Sequence, residues 1–157
     1  MQYRQLQPEP SVAVHERSPS QTISMRVLIV EDEAFIAHAL RQCLQAAGFE
    51  VIGLAATEPV GRHLSARERP DAAVVDVKLR SGSGVDLARS LIEQGTAVLF
   101  VTGNGRDVVA GSGLKAAYLE KPFNAQSIAL AVRAAQHLMD TGALPPWAPS
   151  GVRQIRT

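Results

Sequence analysis

Four short segments of the chain end in residues able to do chemistry together. "VLIVEDE" closes on Glu31, Asp32 and Glu33, and "AAVVD" closes on Asp76. "LFVTG" closes on Thr102 and Gly103, and "YLEKP" on Lys121 and Pro122. Each set follows an apolar run, the composition of a strand buried on both faces. An ionised carboxylate at the end of such a run is costly unless it is paired or binds a metal. Carboxylates a few ångströms apart repel by about 1–4 kcal/mol, depending on the dielectric. A hard divalent cation removes that cost, and Mg2+ takes one or two carboxylates together with waters and phosphate oxygens. Asp32 and Asp76 are the expected direct ligands, with Glu31 acting through water. The main-chain carbonyl of Lys78 is a further ligand if the loop after Asp76 turns back. Lys121 adds a point charge, and Thr102 a hydroxyl donor. The set reads as a phosphoryl site with Asp76 as nucleophile, since aspartate can carry phosphate covalently. The metal and Lys121 would stabilise charge on the transferring oxygens.

Each residue alone has an ordinary explanation. Glu33 or Asp32 could cap a helix and meet its dipole, Asp76 could be a turn residue, and Lys121 could be solvated. Their coincidence at four strand ends outweighs those explanations.

The elements that must position them alternate along the chain. Apolar strands are expected at 26–30, 49–55, 72–76, 97–103 and 116–120. Between them lie helical patterns. The first has Ile36, Leu40, Cys43, Leu44 and Ala47 on one face and stops at Gly48. Weaker or shorter helices cover 58–68 and 84–95, and the last, over 124–139, starts at Asn124 as N-cap. Continuous apolar strands alternating with amphipathic helices predict an α/β, doubly wound parallel sheet covered on both faces. In such a sheet the functional crevice lies at the carboxyl ends of the strands, where the acids, Thr102 and Lys121 stand.

Length and composition fit one domain of 157 residues, 46% hydrophobic and 20% charged. A net charge of +1 gives no electrostatic reason to expect nucleic acid or an anionic membrane as partner. No apolar run approaches a membrane span, the N-terminus lacks the apolar centre of a signal peptide, and the single cysteine, Cys43, reads as a small core residue in a cytoplasmic protein. Residues 1–24 and 140–157 read as flexible tails flanking a domain over 25–139. Trp147 in the second is either a loose apolar residue, the reading favoured here, or an anchor that docks on the domain or on a partner. His15, His38, His63 and His137 are scattered and form no metal pair.

With these residues placed, the sequence resembles the receiver domain of bacterial two-component response regulators. "VLIVEDE", "VVDVKLRSGSGVDLA", "LFVTG" and "YLEKPF" carry the resemblance, over roughly residues 26–139. It implies a flavodoxin-like (βα)5 fold with five parallel strands in the order 2-1-3-4-5. It implies Asp76 as phosphoacceptor, Glu31 and Asp32 as the acidic metal pair, Thr102 as switch hydroxyl, and Lys121 before a cis peptide bond to Pro122. Tyr118 matches the aromatic switch position, and Lys78 and Asn104 match positions that tune autodephosphorylation. The implied partners are a sensor histidine kinase or phosphotransfer protein and a downstream protein target, with the chain a monomer or a phosphorylation-dependent dimer. The implied behaviour is signalling, with self-catalysed phosphoryl uptake and hydrolysis only.

Two features depart from the family pattern. The span from Thr102 to Lys121 is short and holds four glycines, so the fourth helix is expected to be short or irregular. "LFVTG" is similar to a subgroup of single-domain receivers whose fourth strand ends Phe-Ala-Thr-Gly, with Val101 in place of the alanine. No output domain fits in the last 18 residues, so output is expected through protein contacts or by draining phosphate from a kinase. A phosphotransferase of the haloacid dehalogenase type is the alternative, but it needs an acid where Lys78 stands. A flavodoxin is disfavoured because the acids would repel a cofactor phosphate, and a receiver-like scaffold that is never phosphorylated because the acidic set is complete.

Overall fold

The computed structural model describes residues 23–104 and 106–156. Eleven elements follow one another among them: β1 (Arg26–Val30), α1 (Ala34–Ala46), β2 (Glu50–Ala55), α2 (Glu58–Glu68), β3 (Ala72–Asp76), α3 (Gly84–Glu93), β4 (Ala97–Thr102), α4 (Arg106–Ala110), β5 (Ala117–Glu120), α5 (Ala125–Thr141) and β6 (Val152–Gln154). The sheet order is β2-β1-β3-β4-β5-β6. The first five strands are parallel, and β6 joins β5 antiparallel.

Side chains alternate across a strand, so each inner strand feeds two cores. Val27 and Ile29 of β1, Val74 of β3 and Leu99 of β4 pack with Leu40 and Leu44 of α1 and Ile128, Val132 and Leu138 of α5. Leu28, Val30, Val75 and Phe100 face the opposite way and pack with Leu87 and Leu91 of α3. Burial on both faces is why these strands show no polar alternation in the sequence. Phe100 is among the largest fully buried side chains. Truncation by Phe100→Ala is expected to cost about 3–5 kcal/mol, measurable by urea denaturation; a loss under about 1 kcal/mol would mean that the second core is loosely packed.

Side-chain caps start three helices: Thr57 accepts from Val60 N, Ser83 from Asp86 N, and Asn124 from Ser127 N. The capping role that was the ordinary explanation for Glu33 or Asp32 is not what the first helix shows. Glu33 is its N-cap residue but makes no side-chain cap bond, and Asp32 is engaged elsewhere. Cys43 is half-buried in the groove between α1 and α5 and is not part of the core proper. The fourth helix is five residues long, in keeping with the glycines around it.

The C-terminal segment corrects an expectation. Residues 140–157 read as a flexible tail, but 140–156 extend α5 to Thr141, turn at Gly142 in the left-handed region, and return as β6. The sheet therefore has six strands where five were expected. Trp147 is not a loose residue: its ring stands edge-on to His137, with centroids 6.2 Å apart. The tail expected over residues 1–24 lies outside the described residues apart from Ile23 and Ser24.

Candidate functional site

Register brings the strand ends to one level. Val30 pairs with Val75, Asp76 with Val101, and Thr102 with Glu120. Glu31 and Asp32 therefore leave β1 beside Asp76, and Lys121 leaves β5 beside Thr102. One crevice is lined by Asp32, Asp76, Lys78, Thr102, Asn104 and Lys121. The side chain of Glu31 is fully enclosed beneath it.

The ligand oxygens of Glu31, Asp32 and Asp76 lie within 4.8 Å of one another. One ammonium is set among them: Lys121 Nζ donates to Glu31 Oε2 at 3.1 Å and to Asp76 Oδ2 at 3.3 Å. A main-chain donor also orients each of the three carboxylates. Glu33 N donates to Glu31 Oε1 at 3.1 Å, Lys78 N to Asp76 Oδ1 at 3.2 Å, and Arg80 N to Asp32 Oδ2 at 3.1 Å. The N–H of Lys121 donates to the carbonyl of Thr102 at 2.8 Å, and the Lys121–Pro122 bond is cis. Thr102 is itself buried.

Burial, together with the neighbouring Asp76 charge, pushes the Glu31 carboxyl up to about 7, against the pull of the Glu33 amide and of Lys121. Burial works the other way on Lys121 and disfavours its charge. The hydrogen bond to Glu31 and the charges of Asp76 and Glu31 outweigh that, and its ammonium is held above the ordinary lysine range. Three acids against one lysine leave the group rich in negative charge and hard oxygen donors. This is the donor chemistry that suits Mg2+, so the residues present fit such an ion.

Two residues of the site were not anticipated. Arg80 approaches Asp32 with its side chain as well as its amide, Nε to Oδ2 at 3.6 Å. Glu58, at the start of α2, accepts from Ser83 N at 2.6 Å, and its own N–H donates to the carbonyl of Ser81 at 3.1 Å. Together they hold the turn that follows Asp76, itself closed by a bridge between Lys78 and Ser83. The Ser83 amide, and then the Arg62 guanidinium beside it, hold the Glu58 carboxyl below the usual range. Tyr118 stands apart from the acids, half-buried on β5 and paired in register with Phe100 on one side and Arg153 on the other.

The family description of the response regulator receiver domain matches residues 27–133, the stretch that carries Glu31, Asp32, Asp76, Thr102 and Lys121. The chain belongs to that family. This receiver is 32% identical over 117 residues to the transcriptional regulatory protein PdtaR of Mycobacterium tuberculosis, a match covering 72% of this chain and 57% of PdtaR. It thus spans little more than half the length of that relative. Two solved receivers share its architecture. One is the signal receiver domain of a modulated diguanylate cyclase from Desulfovibrio desulfuricans G20, with a TM-score of 0.68 and 26% identity over 76% of this chain and 99% of that one. The other is the receiver of the response regulator PhyR from Erythrobacter litoralis, with a TM-score of 0.67 and 25% identity over 78% of this chain and 97% of that one. No helix among the described residues of this receiver is long and apolar enough to cross a membrane.

Proposed function

We propose that this receiver is switched by phosphorylation: Asp76 takes a phosphoryl group from the phosphohistidine of a sensor kinase or phosphotransfer protein, in the cytoplasm, and the change alters which proteins the chain binds. The observation that carries the reading is the Lys121 ammonium held between Glu31 and Asp76 inside a cluster of three acids. Glu31, Asp32, Asp76 and the carbonyl of Lys78 would hold Mg2+, which supplies neutralisation of the charge gathered around the transferring phosphoryl group. An oxygen of Asp76 attacks phosphorus, the bond from phosphorus to the donor imidazole nitrogen breaks, and that nitrogen takes a proton from solvent. Lys121 meets the charge on the incoming oxygens. Thr102, at the end of β4, would bond a phosphoryl oxygen, and Tyr118 lies on the strand next to it. Phosphorylation adds charge and acceptor oxygens at one end of β3, and the β4–β5 side of the domain responds.

The test is direct. The full chain is incubated with Mg2+ and acetyl phosphate and its intact mass is read. Gain of one phosphoryl group that depends on Mg2+ supports the reading. No gain at saturating Mg2+ and donor overturns it.

A pH dependence follows from Glu31. Its carboxyl lies above the ordinary glutamate value of 4.5, at about 7, so the folded Mg2+-free protein binds more protons than the unfolded chain between those values. The stability this group contributes is fully present below about 4.5 and is lost as pH rises through about 7. Mg2+ competes with the same proton and should bind more tightly as pH rises through about 7. Calorimetric titration between pH 6 and 8, on the order of one unit either side of that value, would show it; an affinity flat across that range would mean that Glu31 is already ionised.

A further inference from the structure

The folded segment after α5 takes no part in the acid cluster, yet it is built into the sheet. Val152 pairs with Leu119, Arg153 with Tyr118, and Gln154 with Ala117. The N–H of Ile155 donates to the carbonyl of Ala116 at 3.0 Å. Val152 and Ile155 are buried, Ile155 at 1% exposure. Gln154 closes the return, its Nε2 donating to the carbonyl of Gly142 at 3.2 Å and its Oε1 accepting from Leu144 N at 3.4 Å. Trp147 rests against His137 of α5.

The strand beneath this strap is the one tied to the acid cluster. Thr102 pairs in register with Glu120 of β5, and Lys121 leaves the end of that strand. On the opposite side of β5, Ile155 shares an apolar cluster with Phe100, Tyr118 and Val109, the last being a buried residue of the five-residue α4. Arg106 at the start of that helix pairs with Glu120 at 3.5 Å. A cleft runs between the strap and the receiver, lined by Arg106, Tyr118, Glu120, Phe123, Ser150 and Arg153. β5 is thus held by β4 and the acid cluster on one edge and by the strap on the other. A helix of five residues is too short to be stable by itself, so α4 yields first when β4 and β5 shift. Ile155 then loses part of its packing.

We propose that residues 143–156 are the resting occupant of the β5 edge and that phosphorylation of Asp76 loosens them. This rests on the phosphorylation reading above. The strap covers main-chain groups of β5 that would otherwise be open to another extended segment, so its release turns a buried edge into a binding surface. Coupling of this kind is reciprocal: whatever loosens the strap must favour the activated site by the same factor.

Hydrogen exchange on the full chain tests it, with and without Mg2+ and fluoroberyllate as an aspartyl phosphate mimic. The amides of Val152 to Ile155 should exchange at least about fivefold faster in the activated protein, while those of β1 and β3 stay protected. The full-length variant Ile155→Ser should show that faster exchange without activation and should bind fluoroberyllate more tightly by a similar factor. If intact mass shows phosphorylation by acetyl phosphate while strap exchange is unchanged or slower, the strap is a fixed part of the sheet and this proposal falls alone. If neither phosphoryl uptake nor a fluoroberyllate response occurs, the phosphorylation reading falls and takes the proposal with it.

Discussion

Asp76→Asn is expected to bring phosphoryl uptake down to background. β3 lies in the middle of the strands that carry the site, between β1 with its acids and β4 with Thr102. Of the three acids, Glu31 is fully enclosed with one oxygen on the Glu33 amide and one on Lys121. Asp32 is turned toward Arg80. Asp76 reaches the crevice from a rigid strand end, and its Oδ1 is fixed by the Lys78 amide. Asparagine keeps the shape and an acceptor for that amide but loses the anionic oxygen, so the fold should survive and the proposed nucleophile should not. Removing one of three clustered acids should also stabilise the Mg2+-free protein, by an amount held to about 1 kcal/mol because the same change gives up the ion pair with Lys121. Intact mass after incubation with acetyl phosphate reads the first effect and urea denaturation without Mg2+ reads the second. A variant labelled as fully as the parent would move the acceptor to another acid, with Asp32 the first to test.

Gly84→Ala should be among the most damaging single methyl groups at the described glycines. A Cβ at Gly84 would lie 2.1 Å from the main-chain oxygen of Asp76 and 3.0 Å from that of Val77. Neither is the tip of a side chain that can swing away, so α3 would have to retreat from the end of β3. Overpacking against backbone costs about 3 kcal/mol or more. Because Asp76 moves with its own carbonyl, phosphoryl uptake should fall as well. Gly103 is the control: it lines the same crevice, but a Cβ there meets nothing within 4 Å. Gly103→Ala should therefore unfold within about 0.5 kcal/mol of the parent. Equal denaturation midpoints for the two variants would show that the first helical turn of α3 is free to shift.

The acid cluster was legible in the sequence because its members end apolar runs. β3 is buried at every position from Ala72 to Asp76, so its first four residues are apolar, and the single charge that closes it marks the carboxyl end of the sheet. The short α4 was legible for the same kind of local reason, in its glycines. Arg80 and Glu58 were not, because their partners are 48 and 25 residues away and each by itself is an ordinary surface charge. The strap was missed because a strand of three residues, with Val152 buried and Arg153 and Gln154 exposed, has no period to detect. What calls for it is the open side of β5, which is a property of the sheet and not of the segment.

The same strap bears on solubility. A sheet ends in two rows of unpaired main-chain groups, and such rows recruit strands from other molecules. On the β2 side the pairing with β1 is interrupted by a register shift between Val27 and Leu28, where Val51 and Gly53 flank an unpaired Ile52. Irregularities of this kind bend an outer strand away from flat growth. On the other side three residues of β6, two of them polar and exposed, stand where β5 would otherwise face solvent. Deleting the segment would leave β5 as an uncapped template, and the shortened chain would be the form prone to precipitate.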